Sequence, residues 1–287
     1  MSKTNRISFQ GEPGANSDTA CRNMFPEMEP MPCPTFEDAF NAVESGAADL
    51  AMIPIENTIA GRVADIHHLL PESRLHIVGE YFLPIHFQLM VLPGTKRSEI
   101  ETVHSHIHAL GQCRKYIRKN GWKPIIAGDT AGAARLVAEV KDKTMAALAP
   151  RLASSLYGLD ILEEDVEDTE NNVTRFVVLN KTKKWAPRTS DALMMTTFVF
   201  RVRNVPAALY KAMGGFATNM VNMTKLESYQ IDGKFTATQF YADIEGHPDD
   251  KNVAHALEEL EFFSKEVRIL GVYPADTTFR SSQGEPE

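Results

Sequence analysis

The sequence predicts an α/β protein in two parts, and three observations carry the prediction. Residues 6 to about 180 alternate short β-rich runs with helical segments, the pattern of a largely parallel sheet covered by helices. From Thr196 onward the order reads strand, helix, strand, strand, helix, strand, which is the ferredoxin-like βαββαβ arrangement. Between them lies Lys181–Asp191, polar, proline-containing and without a period of its own, and 287 residues is itself more than one small core needs. The first part is therefore placed at residues 5–182, a linker at 183–193, the second part at 194–275 and a frayed tail at 276–287.

In the first part, Ile7–Phe9 reads as a strand that enters the turn Gly11-Glu12-Pro13-Gly14, after which Asn16 or Ser17 is placed to cap a helix. Thr35, three residues before Asp38, opens a helix with Phe36, Ala39, Phe40 and Val43 on one face and Gly46 at its end. A strand over Asp49–Ile55 follows, then a long β-rich run from Ile77 to Leu92. Helices are expected from about Ala109 to Lys119, stopped by Asn120-Gly121, and from about Thr130 to Val140. In the second part the first strand spans Thr196–Val202, and a helix from Pro206 to Met213 is ended by Gly214-Gly215. The middle strands join through Asp232-Gly233, a hairpin signal because both turn positions favour positive φ. Val253, Ala256, Leu257, Leu260 and Phe263 lie at helical spacing and mark the second helix.

Composition excludes several function classes. Hydrophobic residues make up 43% and charged residues 24%, ordinary for a globular chain. A formal charge of −8 with no dense Lys/Arg cluster argues against nucleic acid as a partner. The first ten residues contain no apolar signal region, and no stretch is apolar enough to span a bilayer, so no membrane association and a cytoplasmic setting are expected. Cys21, Cys33 and Cys113 are odd in number and lack C-x-x-C spacing, which fits neither a disulfide framework nor a structural zinc site.

The chemistry is expected in five loop segments that follow or precede strands: Gly11–Ala15, Pro54–Gly61, His104–Cys113, Asp129–Ala133 and Asn171–Phe176. Three run into helices, where hydroxyls and backbone N–H groups make anion sites without net positive charge. Singly each is ordinary. Gly11 and Gly14 lack the third glycine of a dinucleotide fingerprint, Asn57-Thr58 is also a plain helix-capping turn, and Thr174-Arg175 is also an ordinary strand pair. His104, His106 and His108 alternate, but no neighbouring Cys or carboxylate completes a ligand set, so no metal and no cofactor are expected.

Together the five segments resemble, in order and spacing, the motifs of prephenate dehydratases: G-E-P-G-A, P-I-E-N-[ST]-x-x-G, S-H-x-x-A-L-G-Q-C, D-T-A-G-A and N-x-T-R-F. The second part resembles the ACT domain that these enzymes carry, through Ala208-Leu209 and the stretch Asn219–Ser228. The chain departs from the family at Ile107-His108, where Pro-Gln is common, at Ala207 in place of glycine, and at Tyr229-Gln230 in place of Arg-Pro.

The resemblance implies a two-lobed catalytic domain like type II periplasmic binding proteins, followed by a regulatory ACT domain. It implies a carbon-oxygen lyase that converts prephenate to phenylpyruvate with loss of water and CO2. Thr174 is the residue it assigns to assist hydroxide departure, with His106 as the alternative proton source. Asn57, Thr58, Ser105, Gln112 and Thr130 would surround the carboxylates and keto group. Arg175 either grips a carboxylate or locks the lobes, and on a regular strand it points opposite to Thr174. L-phenylalanine would act as effector against Ala208, Leu209, Asn219, Met220 and Val221 between subunits of a homodimer or homotetramer, although Leu209 and Val221 also read as core. An arogenate dehydratase and a non-catalytic two-lobed binding protein are the competing readings.

Overall fold

The computed structural model describes residues 5–203, 205–230 and 237–280. In chain order the elements are β1 (Arg6–Gln10), α1 (Asn16–Met24), β2 (Glu29–Cys33), α2 (Phe36–Ser45), β3 (Leu50–Asn57), β4 (Gly61–Arg62), α3 (Ala64–Glu72) and β5 (His76–Pro84). Next come β6 (Gln88–Val91), β7 (Thr102–Ser105), α4 (Ile107–Gln112), α5 (Arg114–Lys119), β8 (Lys123–Ile126), α6 (Thr130–Val140), β9 (Met145–Ala149), α7 (Arg151–Tyr157), β10 (Asp160–Glu163) and β11 (Val173–Asn180). The chain ends with β12 (Met194–Val202), α8 (Ala208–Thr218), β13 (Met223–Gln230), β14 (Ala237–Glu245), α9 (Lys251–Phe263), β15 (Ser264–Pro274) and α10 (Thr277–Arg280). Two compact units result. One holds the chain up to Val63 and Phe82–Phe176; the other holds Ala64–Tyr81 and the chain from Val177 onward.

The first unit contains two sheets. In one, the strand order is β2-β1-β3-β11 with the short β4 on β3, and β1 runs parallel to both β2 and β3. In the other the order is β10-β6-β9-β7-β8; β7 is parallel to its neighbours, whereas β6 is antiparallel to both β9 and β10. The sheets are thus mixed where a largely parallel arrangement was expected. β2 escapes sequence reading because Pro30 and Pro32 interrupt it, and it tolerates them because it is an edge strand. The run from Ile77 to Leu92 is two strands, interrupted after Pro84 and assigned to different sheets.

Local signals act as expected at several helix ends. The Thr35 side chain accepts from the Asp38 N–H at 3.1 Å, and Gly46 closes α2 at φ 83°. α6 begins at Thr130 behind Asp129, whose carboxylate accepts from the Gly132 N–H at 2.6 Å. The helix expected over Ala109–Lys119 is broken at Cys113, which ends α4 and precedes α5 with φ −109° and ψ 20°. At α1 neither Asn16 nor Ser17 caps; Ala15 is the N-cap and offers no side-chain bond.

The second unit has strand order β13-β14-β12-β15-β5 and, over its C-terminal segment, the expected βαββαβ order. Phe198, Phe200, Phe240 and Ile244 face Ala212 and Phe216 of α8 and Val253, Ala256, Leu257 and Leu260 of α9. Each such large apolar side chain contributes about 2 kcal/mol by leaving water. Phe263, expected on that face, is exposed. α8 does not stop at Gly214-Gly215 but runs to Thr218, because Gly215 is where α9 approaches: a Cβ there would lie 2.7 Å from the Glu259 Cβ. The Asp232-Gly233 turn lies outside the described residues. α3 joins this unit through Arg268, whose guanidinium donates to the carbonyls of Pro71 and Ser73, both at 2.7 Å. Among the described residues, no helix is long and apolar enough to cross a membrane.

Candidate active site

A cleft of about 320 Å³ opens in the first unit. Its walls come from the C-terminal end of β3, the start of β11, the N-termini of α1, α4 and α6, and the apolar side chains Ile85, Phe87 and Phe176. Five of the sequence-predicted residues meet here: Asn57, His106, Gln112, Thr130 and Thr174.

Asn57 organises one wall. Its Oδ1 accepts from the N–H groups of Ile59 (2.9 Å) and Ala60 (2.8 Å), which folds the loop after β3 over the side chain. Its two Nδ2 protons are shared among three acceptors in range, Asn172 Oδ1 (2.8 Å), the Val173 carbonyl (3.1 Å) and Thr174 Oγ1 (2.9 Å). Because Thr174 Oγ1 accepts there, its own proton is left for another acceptor. The buried Asn172 passes the order on, donating from Nδ2 to Gln112 Oε1 at 2.7 Å. With that oxygen occupied, Gln112 presents its NH2 group as a donor.

His106 precedes α4, and its Nδ1 accepts from the His108 N–H at 3.4 Å, which places the proton of the neutral ring on Nε2. Burial, aided by His108, pushes the His106 pKa below 6.5, with Asp129 acting weakly against the shift. The imidazole is therefore neutral at neutral pH.

The three helix N-termini differ in a way the sequence does not announce. α4 is capped by His106 and α6 by Asp129, whereas no side chain caps α1. The first turn of α1 carries Asn16 and Ser17 at the cleft and the buried Asp18, whose carboxylate pairs with Arg22 at 2.8 Å and accepts from the Gly14 N–H at 2.8 Å. Asn16, Ser17 and Asn172 are the site members that sequence reasoning does not assign. The glycine turn before α1 is the signal for the first two; Asn172 is the asparagine of the N-x-T-R-F motif, which singles it out without showing what it bonds to.

Three predicted residues are placed elsewhere. The Ser105 hydroxyl is fully buried and donates to the Leu148 carbonyl at 2.6 Å. Thr58 pins β3 to the segment before β11, donating to the Asn171 carbonyl (2.8 Å) and accepting from the Val173 N–H (2.9 Å). Arg175 is buried against Glu56, 3.0 Å away, with Phe82 beneath its guanidinium. It points away from Thr174 as strand alternation requires. His104 is buried and bonded to Thr102 at 3.0 Å, so the three alternating histidines do not converge. Outside the cleft, His86, Asp165 and Glu167 bring potential ligand atoms within 4.8 Å of one another, and Glu167 spends its oxygens on His86 Nδ1 (2.6 Å) and the Phe87 N–H (3.0 Å).

Fold and site together define an α/β protein whose first unit holds a cleft lined by amide, hydroxyl and imidazole groups. The sequence model described as prephenate dehydratase matches residues 7–184. The chain is 49% identical to a bifunctional N-acyl-homoserine lactone acylase/prephenate dehydratase of Komagataeibacter europaeus, over 94% of this chain and 95% of that one. It is 41% identical to the chloroplastic arogenate dehydratase/prephenate dehydratase 1 of Arabidopsis thaliana, over 94% of this chain and 72% of that one. A prephenate dehydratase from Arthrobacter aurescens, solved in complex with L-Phe, superposes with a TM-score of 0.86 at 30% identity, covering 96% of each chain. The chain belongs to the prephenate dehydratase family.

Proposed function

We propose that the chain converts prephenate to phenylpyruvate. The observation that carries this reading is the Asn57–Thr174 hydrogen bond, which turns the threonine hydroxyl into a donor facing a cleft with an open helix end. Prephenate is a dianion whose ring carries a carboxylate and, on the opposite carbon, a hydroxyl. As the ring carboxylate leaves as CO2, the electron pair of the broken bond moves into the ring and hydroxide departs from the opposite carbon. Negative charge grows on that oxygen, so a fixed donor aimed at it lowers the barrier.

Thr174 supplies that donor. A threonine hydroxyl is too weak an acid to surrender its proton at neutral pH, so it stabilises the leaving oxygen by hydrogen bonding, and solvent completes the water. His106, held neutral by burial, is a poor proton source as well and acts as a second donor through Nε2. The α1 N-terminus, the Gln112 NH2 and the Thr130 hydroxyl receive the carboxylates and keto group. Ile85, Phe87 and Phe176 exclude water from the ring.

The segment from β12 to β15 is read as an ACT domain that binds phenylalanine between subunits of a homodimer or homotetramer. The L-Phe bound to the Arthrobacter relative supports the effector. Among the proposed contacts, Ala208 and Leu209 both pack on the core and Val221 belongs to it, whereas Met220 is 88% exposed and Asn219 ends α8. Asn219 and Met220 are therefore the better contacts. Buried, unpaired Cys21, Cys33 and Cys113 fit a cytoplasmic setting.

Two other activities compete. The Arabidopsis relative's name pairs arogenate with prephenate. The Komagataeibacter relative's name adds amide cleavage of N-acyl-homoserine lactones, for which the apolar wall offers an acyl surface. Ser105, beside His106 in sequence, is unsuited as its nucleophile because it is buried on Leu148. Purified protein assayed separately with prephenate, arogenate and an N-acyl-homoserine lactone decides. Prephenate should give the highest kcat/KM. Turnover of arogenate alone would replace the reading, and turnover of neither ring substrate would end it.

A further inference from the structure

The G-E-P-G-A motif borders the cleft, yet neither Glu12 nor Pro13 lines it. Both reach the other sheet's helices instead. Glu12 meets Arg135 of α6 through two hydrogen bonds, Nε to Oε2 at 3.2 Å and Nη2 to Oε1 at 3.1 Å. The Tyr157 hydroxyl at the end of α7 donates to the Pro13 carbonyl at 2.7 Å. Gly14, at φ 90°, lies so close to α7 that a Cβ would stand 3.0 Å from the Ala153 Cα. Ala15 then enters the apolar cluster of Ala131, Ala134 and Ala153 that backs α6 and α7. The loop after β1 is thus bound along its length to elements of the second sheet, and the next residues, Asn16 and Ser17, begin the uncapped helix α1.

We propose that Arg135 and Tyr157, which belong to none of the recognised loop motifs, are positioning residues that strap the Gly11–Ala15 loop in place and thereby hold the open N-terminus of α1 at the cleft for a substrate carboxylate. The proposal rests on the anion-binding role given to α1 above. The two contacts are complementary: the Arg135–Glu12 pair fixes the loop's lateral position through a forked carboxylate contact, and the Tyr157 bond fixes its depth. The ion pair is partly exposed, so its contribution to overall stability is small and its effect belongs to the geometry of the helix end.

Because Arg135 also pairs with Glu139 at 3.0 Å, the test combines steady-state kinetics with amide hydrogen exchange on Arg135→Ala, Tyr157→Phe, Glu12→Arg and the exchanged pair Glu12→Arg/Arg135→Glu, all in a Glu139→Gln background so that the exchanged glutamate meets no like charge. Arg135→Ala and Glu12→Arg should each raise KM for prephenate at least about fivefold while kcat stays within about twofold. They should also speed exchange of the amides over residues 11–17, and Tyr157→Phe, the mildest change to folding, should do so too. The exchanged pair should recover most of the lost KM, an outcome that a generic folding defect would not give. Unchanged exchange in Arg135→Ala and Tyr157→Phe, or an exchanged pair as impaired as either single variant, would overturn the proposal. If the wild-type protein fails to turn over prephenate, the proposed function falls, and the exchange data alone then decide the strap.

Discussion

At the residue scale, Asn57 decides what Thr174 can do. One amide side chain folds its own loop through Oδ1 and orients Thr174 and Asn172 through Nδ2. Asn57→Asp keeps the acceptor but removes the donor, leaving the Thr174 proton to point at the new carboxylate. It should lower kcat by about tenfold to a hundredfold with the fold retained, measured by steady-state kinetics and circular dichroism. His106 yields a second prediction. An imidazolium acid would make kcat fall as pH rises through its pKa, whereas a ring already neutral, its pKa held below 6.5, predicts kcat flat from about pH 7 to 8.5. Five of the site's side chains were legible because their motifs name residue types with hydroxyl, amide or imidazole donors. Ser105, Thr58 and Arg175 were not, because a strand or turn residue can spend the same donor on its own backbone neighbours, and only the tertiary placement tells the two apart. Asn172, the asparagine of N-x-T-R-F, was given no role for the opposite reason: its value lies in bridging Asn57 to Gln112, residues that are 55 apart in number and joined only by the fold.

At the element scale, glycines account for both a success and a failure of sequence reading. Gly46 ends α2 at positive φ as expected, whereas Gly214-Gly215 lies inside α8 and serves close packing on α9. Nothing local distinguishes a glycine that stops a helix from one that admits a neighbour. Gly271 of β15 is a sharper case of the second kind. It pairs with Ile77 of β5, and a Cβ there would lie 2.3 Å from the Ile77 carbonyl oxygen. Gly271→Ala should therefore force β15 from β5 and destabilise the protein by about 1–3 kcal/mol in urea unfolding. A cost as small as that of an exposed-strand substitution would show that the pairing is dispensable. The βαββαβ order itself was legible from periodicity, since both helices carry one apolar stripe above a single sheet.

At the scale of the whole molecule, stability should follow three histidines that are buried or half-buried. Burial is the leading cause that holds His76, His104 and His106 below 6.5. The unfolded chain therefore takes up protons first as pH falls, and folding stability should decline below about pH 6.5. The carboxylates act in the same sense further down. Glu163 is depressed by the Arg97 guanidinium and the Tyr116 hydroxyl, and Asp250 by the His247 N–H, so stability present at neutral pH is lost as these groups protonate. A thermal-unfolding series from pH 8 to 4 should show Tm steady above pH 7 and falling below it; a Tm that rises on acidification would contradict the burial of these rings. The central claim, that Thr174 stabilises the departing hydroxide, is met most directly by kcat for phenylpyruvate formation in Thr174→Ala and Thr174→Ser. Loss of at least about a hundredfold in the alanine variant, with the serine variant within about tenfold of wild type, is the predicted result. An alanine variant that turns prephenate over at nearly the wild-type rate would contradict it.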